Sequence, residues 1–150
     1  MRRVTDSDPG RRAQFAKETG RGGEFVRQES AFRRFVRADA ASEFPAAAGR
    51  YHLYVSYACP WAHRTIVVRK LKRLDDAISL TVVDPIRDER GWAFTDSPGC
   101  GPDPVNGFQF LAEAYRATDP CFDGRVTVPV LWDKERGEIV SNESSEIIRM

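Results

Sequence analysis

Cys59 is followed directly by Pro60, and the residue three positions on is Ala62 rather than a second cysteine. The cysteine lies between a β-prone run, Tyr51-His52-Leu53-Tyr54-Val55, and a run with helical spacing. A helix start presents backbone N–H groups with no intrahelical partner. Those groups, with the helix dipole, favour a thiolate over a thiol, and the thiolate is the nucleophile. Pro60 fits the first helical position, where its missing N–H costs nothing. A lone cysteine is often only a small buried hydrophobe; the strand–Cys–Pro–helix context favours the reactive reading. His63 can share the helix face of Cys59, but an exposed or capping role suits it better than that of a base. Cys59 and His63 make only two metal ligands, and no other Cys or His pair has zinc spacing, so no metal is expected. Ala62 decides the class of chemistry. A mixed disulfide on Cys59 has no C-x-x-C partner to resolve it, so an external thiol must complete the cycle.

Two later features suit a peptide carrying that thiol. Pro129 falls inside an apolar run, Val126-Thr127-Val128-Pro129-Val130-Leu131-Trp132. A cis Val128–Pro129 bond would cost about 0.5–1 kcal/mol and leave the preceding backbone open to an extended ligand, as in strand addition. An ordinary edge-strand proline is the alternative. Glu143-Ser144, at the start of a third helix, offers a carboxylate for an ammonium group. It also offers hydroxyl and N–H donors for a carboxylate. Taken alone it is equally a capping sequence. Glutathione, the abundant cytoplasmic thiol, carries both groups on its γ-glutamyl end.

The elements that must position these residues read as strand, helix, strand, helix, strand, strand, helix. Strands are expected at 51–55, 78–83, 126–132 and 138–140. Helices are expected over 61–74, with Val67, Leu71 and Leu74 forming the apolar stripe, over 108–116, and from 144 onward. Residues 85–107, rich in proline and glycine, read as a long loop. The order is βαβ followed by αββα, an α/β thioredoxin-like fold with a mixed sheet. The expected domain covers residues 50–150. Residues 1–49 read as a polar arm, loosely attached over 1–20 and with an imperfect apolar spacing over 24–37 that leaves room for a short helix.

Composition bounds the rest. A chain of 150 residues suits one domain, and a net charge of +1 with 41% hydrophobic residues is ordinary for a soluble protein. No apolar run approaches membrane-spanning length, and the first residues lack the apolar core of a secretory signal. A cytoplasmic location is expected, with no membrane partner. Three cysteines are too few and scattered for a disulfide framework. Residues 1–50 hold eleven Lys/Arg and seven Asp/Glu, a balance of +4. An arginine-rich arm can bind nucleic acid or act as a transit peptide. The interspersed acids, and the lack of a complete aromatic–basic module, favour a solvated arm and no nucleic-acid partner.

Taken together, Gly23-Glu24-Phe25-Val26-Arg27-Gln28, Cys59-Pro60-Trp61-Ala62-His63-Arg64, Gly91-Trp92-Ala93-Phe94, Val128-Pro129-Val130-Leu131-Trp132-Asp133 and Asn142-Glu143-Ser144-Ser145-Glu146-Ile147-Ile148 carry a resemblance. The sequence is similar, over roughly residues 22–150, to the N-terminal half of the glutathionyl-hydroquinone reductases, the Xi-class branch of the glutathione transferases. The resemblance implies glutathione as co-substrate, no bound cofactor, and reduction of glutathionyl-hydroquinones through a Cys59–glutathione mixed disulfide. It implies that Trp92 and Arg125 contact glutathione by side chain and Val128 by main chain, beside a cis Pro129, with Glu143 and Ser144 as the γ-glutamyl clamp. Packing for Trp92 and a surface charge for Arg125 are the plainer alternatives. Members of the family continue into an all-helical C-terminal domain that supplies the quinone pocket and much of a homodimer contact. A chain ending at Met150 is therefore expected to be truncated, with no hydroquinone site of its own. A catalytically impaired glutathione-binding module is one alternative. A general glutathione S-transferase is another, disfavoured because a cysteine forms mixed disulfides where a serine or tyrosine only stabilises the glutathione thiolate.

Overall fold

The computed structural model describes residues 29–150; the expectations for residues 1–20 and for 24–28 lie outside the described residues. Seven elements follow in chain order: β1 (Tyr51–Val55), α1 (Pro60–Leu71), β2 (Ile78–Val82), α2 (Ala112–Thr118), β3 (Val130–Asp133), β4 (Glu138–Ser141) and α3 (Ser144–Ile147). The sheet runs β2-β1-β3-β4. β1 pairs parallel with β2, in register Tyr51 to Ile78 through Val55 to Val82. It pairs antiparallel with β3, which pairs antiparallel with β4. This is the mixed sheet of a thioredoxin-like fold.

All five residues of β1 are buried, which is why the strand is apolar and aromatic without alternation: a central strand covered on both faces needs no polar side. His52 is the exception in type, and its Nδ1 pairs with Ser79 Oγ at 2.7 Å across the β1–β2 ladder. At the base of the sheet Asp133 is fully buried and bound by Arg50, Nε to Oδ1 at 3.0 Å and Nη2 to Oδ2 at 2.5 Å.

α1 turns its face differently from the expectation. Leu71 is 77% and Val67 40% exposed, whereas Ala62 and Thr65 are buried. The inward stripe is Ala62, Thr65, Ile66 and Arg69, still at helical spacing. Small Ala62 permits close approach to the sheet. Thr65 satisfies its hydroxyl on Ala62 O at 2.6 Å. Arg69 fixes the helix rotation by donating to Ile78 O (2.6 Å) and Asp75 Oδ1 (2.6 Å).

The described residues of the stretch read as room for a short helix, 29–37, are not helical; they form a strap whose residues 32–34 pair with β4 and Asn142. Asn142 N donates to Phe32 O (3.0 Å) and Arg34 N to Val140 O (3.0 Å), with Arg33 opposite Ser141 in an antiparallel bridge. The Phe32 ring packs against Tyr115 and Phe122, and Phe44 is buried in the common core. The strap covers an edge that would otherwise present unpaired backbone groups.

α2 begins four residues later than expected. Glu113 Oε1 accepts from the backbone N–H groups of Gln109 and Phe110, both at 2.9 Å, and Phe110 is tied to Ala93 by a bridge. The long loop is held by two buried aspartates. Asp84 accepts from Ile86 N, Thr95 Oγ1 and Ser97 Oγ, and these bonds keep its carboxyl below the usual range. Asp103 accepts from Tyr54 OH (2.9 Å) and from the N–H groups of Val105, Asn106 and Phe108. β3 starts at Val130, not Val126, because Pro129 has no N–H to give to a ladder.

Candidate functional site

A tight turn delivers Cys59 to the start of α1. Cys59 N donates to Ser56 O at 3.2 Å, and Ala58 N to Ser56 Oγ at 3.3 Å. Cys59 itself has extended backbone (φ −106°, ψ 114°), Pro60 is the first helical residue, and Cys59 O accepts the first helical bond from His63 N at 3.0 Å. His63 is exposed. The thiol of Cys59 donates to Val128 O at 3.6 Å, and the Val128–Pro129 peptide bond is cis. Sequence-distant residues, 59 and 128, thereby meet at one point.

That point opens into a cavity of about 470 Å³, within the size range of small-ligand sites. Of the residues singled out in the sequence, Cys59, Trp92, Arg125, Val128, Pro129 and Ser144 line it. Cys59 is the cysteine on this wall. Cys100 instead donates to Val83 O at 3.6 Å, and burial, then Asp84, push its thiol up. Cys121 is exposed beyond α2.

Trp92 reaches the cavity because Gly91 turns the chain at φ 92°, a left-handed conformation that glycine accepts without strain. Trp92 is only 7% exposed, its Nε1 has no hydrogen-bond partner among the described residues, and the Arg87 guanidinium stacks 4.4 Å above its ring. The Trp92 side chain lines the cavity beside Arg87.

Glu143 stands just behind the wall. Its Oε1 accepts from Ser145 N (3.1 Å) and Ser145 Oγ (2.8 Å), capping α3, and its Oε2 accepts from Ser30 Oγ at 2.9 Å. Ser144 Oγ accepts from Arg64 Nε (3.0 Å) and Nη2 (2.7 Å), with the Arg64 guanidinium 3.8 Å from Glu143 Oε1. The pair Glu143-Ser144 is thus a capping sequence and also a polar cluster beside the cavity. Sequence reasoning missed Ser30, Arg64, Arg87, Thr127 and Asn142. Arg64 and Asn142 lie within quoted motifs, but Arg64 is five residues after Cys59, a spacing that does not share its helix face. Ser30 joins the site only through strap pairing, for which no local signal exists.

The family profile described as the glutathione S-transferase N-terminal domain matches residues 58–150, the stretch carrying the whole of this wall except Glu29 and Ser30. The chain belongs to that family. Within it, the chain is 54% identical over 136 residues to the glutathionyl-hydroquinone reductase YqjG of Escherichia coli, an alignment covering 86% of this chain and 42% of that protein. Among solved structures, a Xi-class transferase from Natrialba magadii superposes with a TM-score of 0.78 at 57% identity, covering 79% of this chain and 38% of that one. The glutathione-bound structure of YqjG superposes with a TM-score of 0.76 at 54% identity, covering 80% and 41%. This transferase-family chain therefore spans about two fifths of the length of the relatives it matches. No helix among the described residues is long and apolar enough to cross a membrane.

Proposed function

We propose that this chain performs the glutathione-dependent thiol chemistry of a glutathionyl-hydroquinone reductase. Cys59, as thiolate, attacks the sulfur of a glutathionyl-hydroquinone. The carbon–sulfur bond to the ring breaks, the ring carbon takes up a proton, and hydroquinone leaves. Cys59 and glutathione are then joined in a mixed disulfide. A second glutathione thiolate attacks the glutathione sulfur of that disulfide, releasing glutathione disulfide and restoring Cys59. One glutathionyl-hydroquinone and one glutathione thus become one hydroquinone and one glutathione disulfide, with the hydroquinone ring gaining the electron pair that the two sulfurs give up.

In this reading Glu143 receives the γ-glutamyl ammonium and Ser144, backed by Arg64, the adjoining carboxylate. Val128 pairs with the cysteinyl main chain, while Trp92 and Arg125 take the glycyl end. The observation that carries the proposal is the Cys59 thiol at the cavity wall, 3.6 Å from the Val128 carbonyl beside the cis proline, with Ala62 where a resolving cysteine would stand. One relative, YqjG, named a glutathionyl-hydroquinone reductase and solved with glutathione bound, supports the choice of ligand and substrate.

The test incubates the chain with a glutathionyl-hydroquinone and glutathione and measures released hydroquinone by chromatography, with Cys59→Ser alongside. Turnover by the native chain and none by the variant is the expected result. Glutathione binding without hydroquinone release would make the chain a glutathione-binding module. No binding at all would overturn the assignment.

A further inference from the structure

Ser30 lies upstream of β1, yet it lines the cavity and bonds to Glu143. We propose that Ser30, on the strap, is a positioning residue that holds the Glu143 carboxylate in place to receive the ligand's ammonium group. The proposal rests on the glutathione reading above and extends it to a residue outside the matched stretch 58–150.

The strap is built to deliver Ser30 to one place. Two residues on, Phe32 is fixed at both backbone groups, its N–H donating to Asn142 Oδ1 and its carbonyl accepting from Asn142 N, each at 3.0 Å. Asn142 in turn donates through Nδ2 to Thr127 Oγ1 at 3.1 Å, on the cavity wall. Arg33 binds the buried carboxylate of Glu146, with Nε 2.9 Å from Oε1. Ser30 therefore arrives beside Glu143 with little freedom, and it lines the cavity together with Asn142 and Ser144.

Glu143 is pulled from two sides. Its Oε1 caps α3 and faces Arg64 at 3.8 Å. Its Oε2 accepts a hydrogen bond from the Ser30 hydroxyl, with Oγ 2.9 Å away. With both oxygens engaged, the carboxylate has one orientation before a ligand arrives, so binding need not order it. A serine hydroxyl has one proton and two acceptor lone pairs. Its proton is committed to Glu143, which leaves the oxygen able to accept an N–H from the same ammonium. Removal of the hydroxyl takes away one of the bonds that orient the carboxylate and lets Arg64 draw it aside.

The experiment measures calorimetric affinity of the 150-residue chain for glutathione and for its desamino analogue, glutaryl-cysteinyl-glycine, in native, Ser30→Ala and Ser30→Thr forms. The expected result is a loss of about tenfold for glutathione in Ser30→Ala, no further loss for the analogue, and recovery in Ser30→Thr, which restores a hydroxyl. Equal affinity of native and Ser30→Ala for glutathione overturns the proposal. So does an equal loss for both ligands, which would mark a general disturbance of the strap. Failure of the native chain to bind glutathione overturns the functional reading itself, and this inference with it.

Discussion

His52 makes the fold acid-sensitive by a calculable amount. Its side chain is 0% exposed in the middle of β1, edge-on to Tyr54, with Nδ1 on Ser79 Oγ and no hydrogen-bond partner for Nε2 among the described residues. Burial is the main reason its pKa falls from 6.5 to about 4; Asp103 pulls the other way, and Lys134 and Arg69 add to the drop. The unfolded chain therefore takes up a proton as pH falls through 6.5 while the folded chain does not until about 4. The stability contributed by the neutral imidazole is complete above pH 6.5 and is lost as pH falls toward the folded value. By pH 4.5 the loss is about 2.5 kcal/mol. His52→Phe keeps a ring beside Tyr54 and removes the titration. Urea unfolding of both proteins from pH 7.5 to 4.5 isolates the effect, because carboxylates such as Glu138 and Asp84 titrate in both. The gap between the two stability curves should change by about 2.5 kcal/mol in favour of the variant as pH falls. Parallel curves, or an imidazole proton resonance from His52 that moves near pH 6.5, would refute the reasoning.

Arg50→Ala strands the fully buried Asp133 carboxylate and should cost about 3–5 kcal/mol, read as a lowered urea midpoint. Glu143→Gln keeps an acceptor for Ser145 N but removes the charge facing the ammonium; calorimetry should show glutathione affinity reduced by about tenfold to a hundredfold with the fold intact. Thr65→Val exchanges a hydroxyl satisfied on Ala62 O for a methyl in the same buried place and should change stability by only about 1 kcal/mol by thermal unfolding, whereas Ala62→Leu in the close α1–sheet contact should cost about 1–3 kcal/mol.

The placement of the candidate site residues was legible in the sequence wherever it depended on neighbours in the chain. Strand, cysteine, proline and helix are consecutive, so the place of Cys59 at the start of α1 could be read from residues 51–64 alone. The place of Glu143-Ser144 at the start of α3 and of the proline before β3 was legible for the same reason. The rotation of α1 was not. Val67, Leu71 and Leu74 form a regular apolar stripe, yet the sheet takes the stripe of Ala62, Thr65, Ile66 and Arg69, whose polar members bond to carbonyls at 62 and 78. A hydrophobic pattern reports that one face is apolar, not which surface covers it. The strap was also hidden. Phe32, Phe35 and Val36 fit a helical spacing, but the backbone partners of Phe32 and Arg34 lie more than a hundred residues away, on Asn142 and β4. Asp84 and Asp103 looked like ordinary loop residues; only the hydroxyls and N–H groups brought to them by folding show that they organise the loop that presents Trp92.

Because residues 32–34 pair with β4 and Asn142, the ligand recognition proposed above and protection against self-association share one attachment. A change that loosened the strap, such as the loss of Arg33 from Glu146, would bare a row of backbone donors and acceptors ready to recruit a second molecule. It would also withdraw Ser30 from Glu143. Weakened tripeptide binding and a tendency to cluster should then appear together, at the same temperature and denaturant concentration, well before the sheet itself gives way.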